Sequence, residues 1–294
     1  VGGTGKTPTT IYLYNLLMFN ITIILITYKS DVLIYEFIKK IPHNFHVIII
    51  ENSNNHKMKE DIEKCYSNID VYLRENNGVG SALNYAVKRI KTKYFLQISP
   101  DINFNFNDIL IFTDLAKKLN DKFAAIGPKF LYVKKKSHKQ ISENAEYDSI
   151  DSIHGSCMFI NKECYNQIGG FDENYFLYFE ETDYCYRGKK LGYKSYQVNK
   201  SKVQSRGRSV DLGNDKEKIS NILHWHFIWS NFYFNKKKYG KLISLLIFLP
   251  TMIRIIFKIS LNKVIKNKKQ LNKYKIRYDG LINSIKGNKS SLRP

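Results

Sequence analysis

Apolar residues recur along this chain in two rhythms. Ile21 to Thr27, ITIILIT, is an unbroken, mostly β-branched run, the pattern of a strand buried on both faces of a parallel sheet. Val47 to Ile50 repeats it after a helical stretch over Val32 to Lys40. Tyr94 to Ile98 repeats it again after Ser81 to Lys91, where Leu83, Ala86 or Val87, and Ile90 stand at helical spacing. This βαβαβ order predicts an open α/β sheet with helices on both faces. Ligands of such sheets sit beyond the carboxyl ends of the strands, which singles out Thr27, Tyr28, Lys29 and Ser30, then Glu51, Asn52 and Ser53, then Ser99, Pro100 and Asp101. Further on, Phe123 to Pro128, Met158 to Ile160 and Ser195 to Val198 read as short strands separated by polar loops, which predicts a mixed sheet there. Lys134 to Ser152 is polar and lysine-rich and reads as an exposed or mobile loop.

A chain of 294 residues, 43% hydrophobic and 25% charged, can bury a sizeable core, which excludes disordered, collagen-like and disulfide-stapled classes. The four cysteines form no CxxC pair, and no charged-then-apolar leader ends at a small-residue cleavage site. A reducing, cytosolic setting is therefore expected. The net charge of +21 is unevenly spread: Lys200 to Pro294 holds 22 Lys or Arg against 4 Asp or Glu, a net +18. Within this basic region Leu242 to Phe257 is apolar but interrupted by Pro250 and Arg254, and reads as too short for a hydrocarbon core that needs roughly 20 apolar residues. With Lys236, Lys237, Lys238 and Lys241 before it and Lys258, Lys263, Lys266, Lys268 and Lys269 after it, it predicts a segment lying on an anionic membrane surface. An ordinary helix packed on the body is the alternative. Trp225, Trp229, Phe232, Tyr233 and Phe234 suit an interfacial belt or a core equally.

Two motifs bear on chemistry. Gly2-Gly3-Thr4-Gly5-Lys6-Thr7 looks like the end of a phosphate-binding loop, and about the first 17 residues resemble a segment of the kinases that phosphorylate the lipid A disaccharide. No strand precedes it and the rest of that domain is absent, so residues 1–17 are expected to be a non-native or remnant extension, with Met18 the natural beginning. The second motif is Gly169-Gly170-Phe171-Asp172-Glu173-Asn174-Tyr175-Phe176 running into Glu180-Glu181-Thr182-Asp183 and Arg187. Three acids within four residues, set among aromatics, place carboxylates beside apolar surface, where a pKa rises towards what a general base needs. They also read as a solvated helix start ahead of Arg187.

From about Ile21 to Ser209, the segments ITIILITYKSD, ENNGVGSALNYAVKRIKTKYFLQISPD and GGFDENYFLYFEETDYCYRGKKLGY resemble the family 2 glycosyltransferases, and within them the bacterial rhamnosyltransferase type. The resemblance implies a GT-A fold: a Rossmann-like nucleotide-binding half joined to a mixed-sheet acceptor half over residues 18–210, followed by a basic, partly apolar helical region over 211–294. It implies transfer of a sugar, with inversion, from a nucleotide-diphosphate sugar to a glycan or lipid-linked acceptor. Mg²⁺ or Mn²⁺ is the implied cofactor. By position, Thr27, Tyr28, Glu51 and Asn52 would line the nucleoside, and Asn77, Gly78, Gly80 and Asn84 would approach the diphosphate sugar. Asp101 matches the metal motif, and Gly155, Ser156 and Asp172 the acceptor side. Glu181 takes the base position, with Glu180 and Asp183 as alternatives. Gln204 stands where many relatives have histidine, and Arg206 and Arg208 could pair with the diphosphate instead.

On this reading the protein is cytoplasmic and peripheral at the inner face of the cell membrane, serving cell-surface polysaccharide synthesis, with no nucleic acid expected as a partner. The rival readings are a P-loop lipid or sugar kinase fragment and a non-catalytic binder of sugar nucleotides or nucleic acid.

Overall fold

The computed structural model describes residues 20–131, 141–207 and 216–294. Residues 1–17, the phosphate-loop motif and Arg208 lie outside them. Two compact units divide the described chain: one holds the residues up to Asn77 with Ser81–Phe171 and the segment from Tyr184 to Gly207, the other Gly78–Gly80, Asp172–Asp183 and the helices from Lys216 on.

The first unit is built on one sheet. Strands β1 (Ile21–Thr27), β2 (His46–Glu51), β3 (Ile69–Leu73) and β4 (Tyr94–Ile98) are parallel in the order β3-β2-β1-β4. Helices α1 (Asp31–Ile38), α2 (His56–Cys65) and α3 (Val79–Val87) connect them. Because β1 leads to β2 on one side while β4 pairs on the other, the strand order reverses between β1 and β4, the position beyond which open α/β sheets bind their ligands. The β-branched runs predicted to be buried on both faces are so: Ile23, Ile24, Leu25 and Val47 to Ile50 are fully enclosed.

The sheet continues from β4 as β8-β6-β9-β5, with β5 (Ile102–Asn103), β6 (Ala125–Phe130), β8 (Cys157–Asn161) and β9 (Ser195–Ser205). β8 is antiparallel to β4 and β6, while β6 and β9 are parallel, so this half is mixed as predicted. One expectation is corrected. Tyr147–Ile150, placed in a loop by its polarity, forms β7, antiparallel to β9. Helices α4 (Asp108–Lys118), α5 (Lys162–Ile168) and α6 (Glu180–Lys190) complete this part of the chain.

In the second unit α7 (Lys216–Tyr239), α8 (Lys241–Val264) and α9 (Lys268–Lys286) pack together around Ile228, Phe232, Phe248, Ile255 and Leu281. The apolar segment is longer than its sequence suggested, because the helix runs through Pro250 and on past Phe257. Its 24 residues, at 1.5 Å each about 36 Å, make it long and apolar enough to cross a bilayer, which corrects the expectation that it is too short.

Candidate active site

The carboxyl ends of β1 and β2 form one wall in the first unit. Thr27 is 1% exposed and its hydroxyl has no partner among the described residues, while its carbonyl accepts from the Asn52 N–H at 2.9 Å. Lys29 adopts φ +48°, and the Ser30 hydroxyl donates to the Tyr28 carbonyl at 2.9 Å, which turns the chain sharply after the strand. Glu51 ends β2 and is 1% exposed. Its Oε1 accepts from the N–H and hydroxyl of Ser53 and its Oε2 from the Asn55 N–H at 2.7 Å, so the carboxylate is spent on shaping the turn.

Asp101 lies just beyond β4 and is 7% exposed. Its Oδ2 accepts from the Ser205 hydroxyl at 2.5 Å, and its carbonyl from the Arg206 N–H at 2.8 Å. Loss of solvent pushes its pKa up, and the Ser205 hydrogen bond opposes that shift. The Ser156 carbonyl accepts from the Ser99 N–H at 2.9 Å, which brings the Gly155-Ser156 turn alongside this strand end. Arg206 reaches Glu36 at 3.4 Å. Ser205 was not singled out in the sequence, because a serine in a polar strand end carries no local signal.

The residues predicted for the diphosphate sugar divide. Asn84 is an internal bracket: its Nδ2 donates to the Phe171 carbonyl at 2.9 Å, and its Oδ1 accepts from the Phe171 N–H at 3.0 Å and from the Tyr165 hydroxyl. Its amide thus holds the glycine-rich turn. Gly78 has φ +97°, and a Cβ there would meet the Phe176 carbonyl oxygen at 2.5 Å, so the backbone passes where only glycine fits. Asn77 is exposed and Gly80 buried.

The acidic cluster opens α6 in the second unit. Tyr178 and Phe179, immediately before it, both lie in the left-handed region at φ +68° and +70°, a conformation that costs non-glycine residues of order 1–3 kcal/mol each and persists only where surroundings enforce it. Glu180 is 8% exposed, and its Oε2 has no hydrogen-bond partner among the described residues. Burial, then the charge of Glu181, holds its pKa well above the usual carboxylate range. Glu181 is half-buried and accepts from the Thr182 hydroxyl at 3.0 Å.

Asp183 differs from both. It is fully buried and ion-paired to Lys237 at 2.6 Å, and the same ammonium reaches Asp172 at 2.8 Å. The Tyr233 hydroxyl also donates to Asp172. Against the desolvation that would raise it, the Lys237 hydrogen bond leaves the Asp172 pKa lowered. Arg187 donates to the carbonyls of Ile168 and Gly170 at 2.6 and 2.5 Å. Asp172 and Asp183 are thus occupied in a buried charge network, and Lys237, read in sequence as one of a lipid-facing run, belongs to it.

An open α/β sheet with a strand-order reversal at β1/β4, a lone buried carboxylate beyond β4 and a mixed second half defines the GT-A class. The chain belongs to glycosyl transferase family 2, whose family model matches residues 22–191. Among curated relatives, it is 24% identical over 194 residues to the low-salt glycan biosynthesis hexosyltransferase Agl10 of Haloferax volcanii, covering 58% of this chain and 62% of that protein. It is 25% identical over 200 residues to the rhamnosyltransferase WbbL of Escherichia coli, covering 55% and 76%. Among solved structures it resembles GalNAc-T7 with UDP, GalNAc and Mn²⁺, at 12% identity and TM-score 0.52, over 72% of this chain and 50% of that one. The chain thus spans about three fifths of the first of these curated relatives.

Proposed function

We propose that the protein is an inverting glycosyltransferase, using a nucleotide-diphosphate sugar, with rhamnose one candidate, and a glycan or lipid-linked acceptor in bacterial cell-surface polysaccharide synthesis. The observation that carries this is Asp101: a carboxylate withdrawn from solvent at the carboxyl end of β4, beside the strand-order reversal, answered by one hydroxyl in a family 2 chain. A hard divalent cation suits it. Among the described residues no ion pair answers this desolvated carboxylate, whose pKa burial pushes up, and no cluster of three metal-ligating side chains exists among them, so the diphosphate itself would complete the shell. When bound, Mg²⁺ or Mn²⁺ supplies charge to the departing nucleoside diphosphate.

The chain's own residues do the rest. Thr27, Tyr28 and Asn52 would line the nucleoside, Gly78 and Gly80 would admit the backbone close to the sugar, and Arg206 would add a cation on the donor side. Glu181 takes the proton of the acceptor hydroxyl as that oxygen forms its bond to the anomeric carbon, from the face opposite the breaking bond to the diphosphate.

The glycosyltransferase domain is assigned to residues 18–210 and a membrane-docking region to 211–294. Supporting peripheral docking, Ser244, Phe248, Ile255 and Asn262 turn one face of α8 towards its neighbouring helices, and the opposite face leaves Leu242, Leu246, Ile253, Phe257 and Val264 at 59% exposure or more. The packing partner α9 carries Lys268, Lys269, Lys273, Lys275 and Arg277, a charged companion that suits an interface better than a bilayer interior. The test is a thermal-shift panel of UDP-, GDP- and dTDP-sugars with and without Mn²⁺, followed by transfer assays with the stabilising donor. Stabilisation by no sugar nucleotide in the presence of metal would refute the assignment.

A further inference from the structure

The turn that delivers Glu180 and Glu181 is held open by one face of α7. Ser230, Tyr233 and Lys237 stand at i, i+3 and i+7, one stripe of a helix. The Ser230 hydroxyl donates to the Leu177 carbonyl at 2.8 Å, immediately before the two left-handed residues. The Tyr233 hydroxyl donates to Asp172 at 3.2 Å. Lys237 closes the set by binding Asp172 at 2.8 Å and Asp183 at 2.6 Å, so a single ammonium joins the residue that opens this segment to one inside the first turn of α6. Phe179 packs its ring on Phe227 and Phe234 of the same helix. A backbone with two consecutive bulky residues at positive φ does not hold that shape unaided. The α7 stripe enforces it from both ends.

We propose that Lys237 is a positioning residue for the acidic cluster: by bridging Asp172 and Asp183 it fixes the strained Tyr178-Phe179 turn and so sets where the Glu181 carboxylate meets the acceptor. Lys237 touches no substrate on this account. The proposal rests on Glu181 being the base, and adds that the geometry of this base is dictated by a lysine more than fifty residues downstream in a different helix.

The experiment compares Lys237→Met and Lys237→Arg with the parent protein in two arms. Hydrogen exchange over residues 172–190 is expected to rise in Lys237→Met and to return towards parental protection in Lys237→Arg, whatever substrate the protein uses. In the second arm, transfer is followed with whichever UDP-, GDP- or dTDP-sugar stabilises the parent most. Lys237→Met is expected to lower kcat by about 10- to 100-fold, the scale on which small misplacements of reacting groups cost rate, leaving the donor KM within about twofold, with Lys237→Arg recovering most of the loss. Asp172→Asn, which keeps Lys237 paired to Asp183, serves if Lys237→Met does not fold, and should show the same split in milder form. Parental exchange in the turn of a folded Lys237→Met, unchanged kcat, or a kcat loss matched by the donor KM and not rescued by arginine would each overturn the proposal. Faster exchange in a protein for which no sugar nucleotide proves a substrate would support the clamp and reject the glycosyltransferase assignment.

Discussion

Removing the Ser205 hydroxyl is the most direct probe of the donor-side chemistry, because beyond its bond to Asp101 it releases only a surface-turn contact to Gly207 and nothing in the core. Ser205 is exposed, and its Oγ donates to Asp101 Oδ2 at 2.5 Å. That bond lowers a carboxyl pKa that burial raises, so Ser205→Ala must raise it further. A hydrogen bond to a charged group is worth about 1.5–3 kcal/mol, or about 10- to 150-fold in an equilibrium. This agrees with the roughly 10- to 100-fold cost of losing an outer partner of a metal ligand. Cation binding needs the ionised carboxylate and competes with its protonation, so the loss should be larger at pH 6 than at pH 8. The assay is calorimetric titration of Mn²⁺ into protein saturated with nucleoside diphosphate, at both pH values, for the parent and Ser205→Ala. Affinity within twofold of the parent at both would remove Asp101 from the metal site; an equal loss at both would show that Ser205 acts on something other than the charge of Asp101.

Three further outcomes are expected. Glu181→Gln should cut turnover by about 10²- to 10⁴-fold, the usual worth of general-base assistance, with donor affinity in a binding titration almost unchanged; loss of donor binding would move the cluster to the donor side. Glu180 has a folded pKa raised above its unfolded value of 4.5, so its contribution to stability is complete below that value and declines as pH rises through the folded pKa; Glu180→Gln should therefore melt higher than the parent at pH 8 and no higher near pH 4, and the same difference at both pH values would contradict the burial argument. Replacing Leu246 and Phe257, 70% and 60% exposed, by glutamate should leave the melting temperature unchanged while abolishing flotation with phosphatidylglycerol vesicles, since each side chain contributes about 1.5–3 kcal/mol when buried. Retained flotation would reject α8 as the docking surface.

Which parts of this architecture could be read from the sequence follows from burial. β1, β2 and β4 announce themselves because enclosure on both faces demands unbroken apolar runs. β3 at the sheet edge, IDVYL, and β7, YDSI, carry polar side chains because their surfaces are partly open, so neither shows a run. β9 extends eleven residues where four were legible, its later half alternating buried and exposed positions with lysines on the outside. Asp101 and the Glu180–Asp183 cluster stand out because their spacing is local. Lys237 does not: in sequence it is the middle of three lysines, and only the fold pairs it with Asp172 and Asp183. Asn84 and Glu51 were legible as polar residues near the strand ends, but the backbone groups they hold are set by turn geometry that a motif does not encode.

The closing residues of the chain have a practical consequence for anyone preparing the protein. His226 on α7 is fully buried, its Nε2 2.7 Å from the Leu292 carbonyl and its Nδ1 3.0 Å from the Ser290 hydroxyl. Burial, more than the nearby Arg293, lowers its pKa to about 4. The Trp229 indole donates to the Asn288 carbonyl, and the Ser284 hydroxyl to the Trp229 carbonyl. The oily α8 is therefore a loop in the topological sense, pinned by its neighbours before and after it, and cannot be trimmed as a tail. Cutting ahead of it to gain solubility would strip α7 of the partners that hold Trp225, His226 and Trp229, and with them the helix on which Lys237 is mounted. Detergent, or polar substitutions along the exposed stripe, is the route that keeps the protein whole.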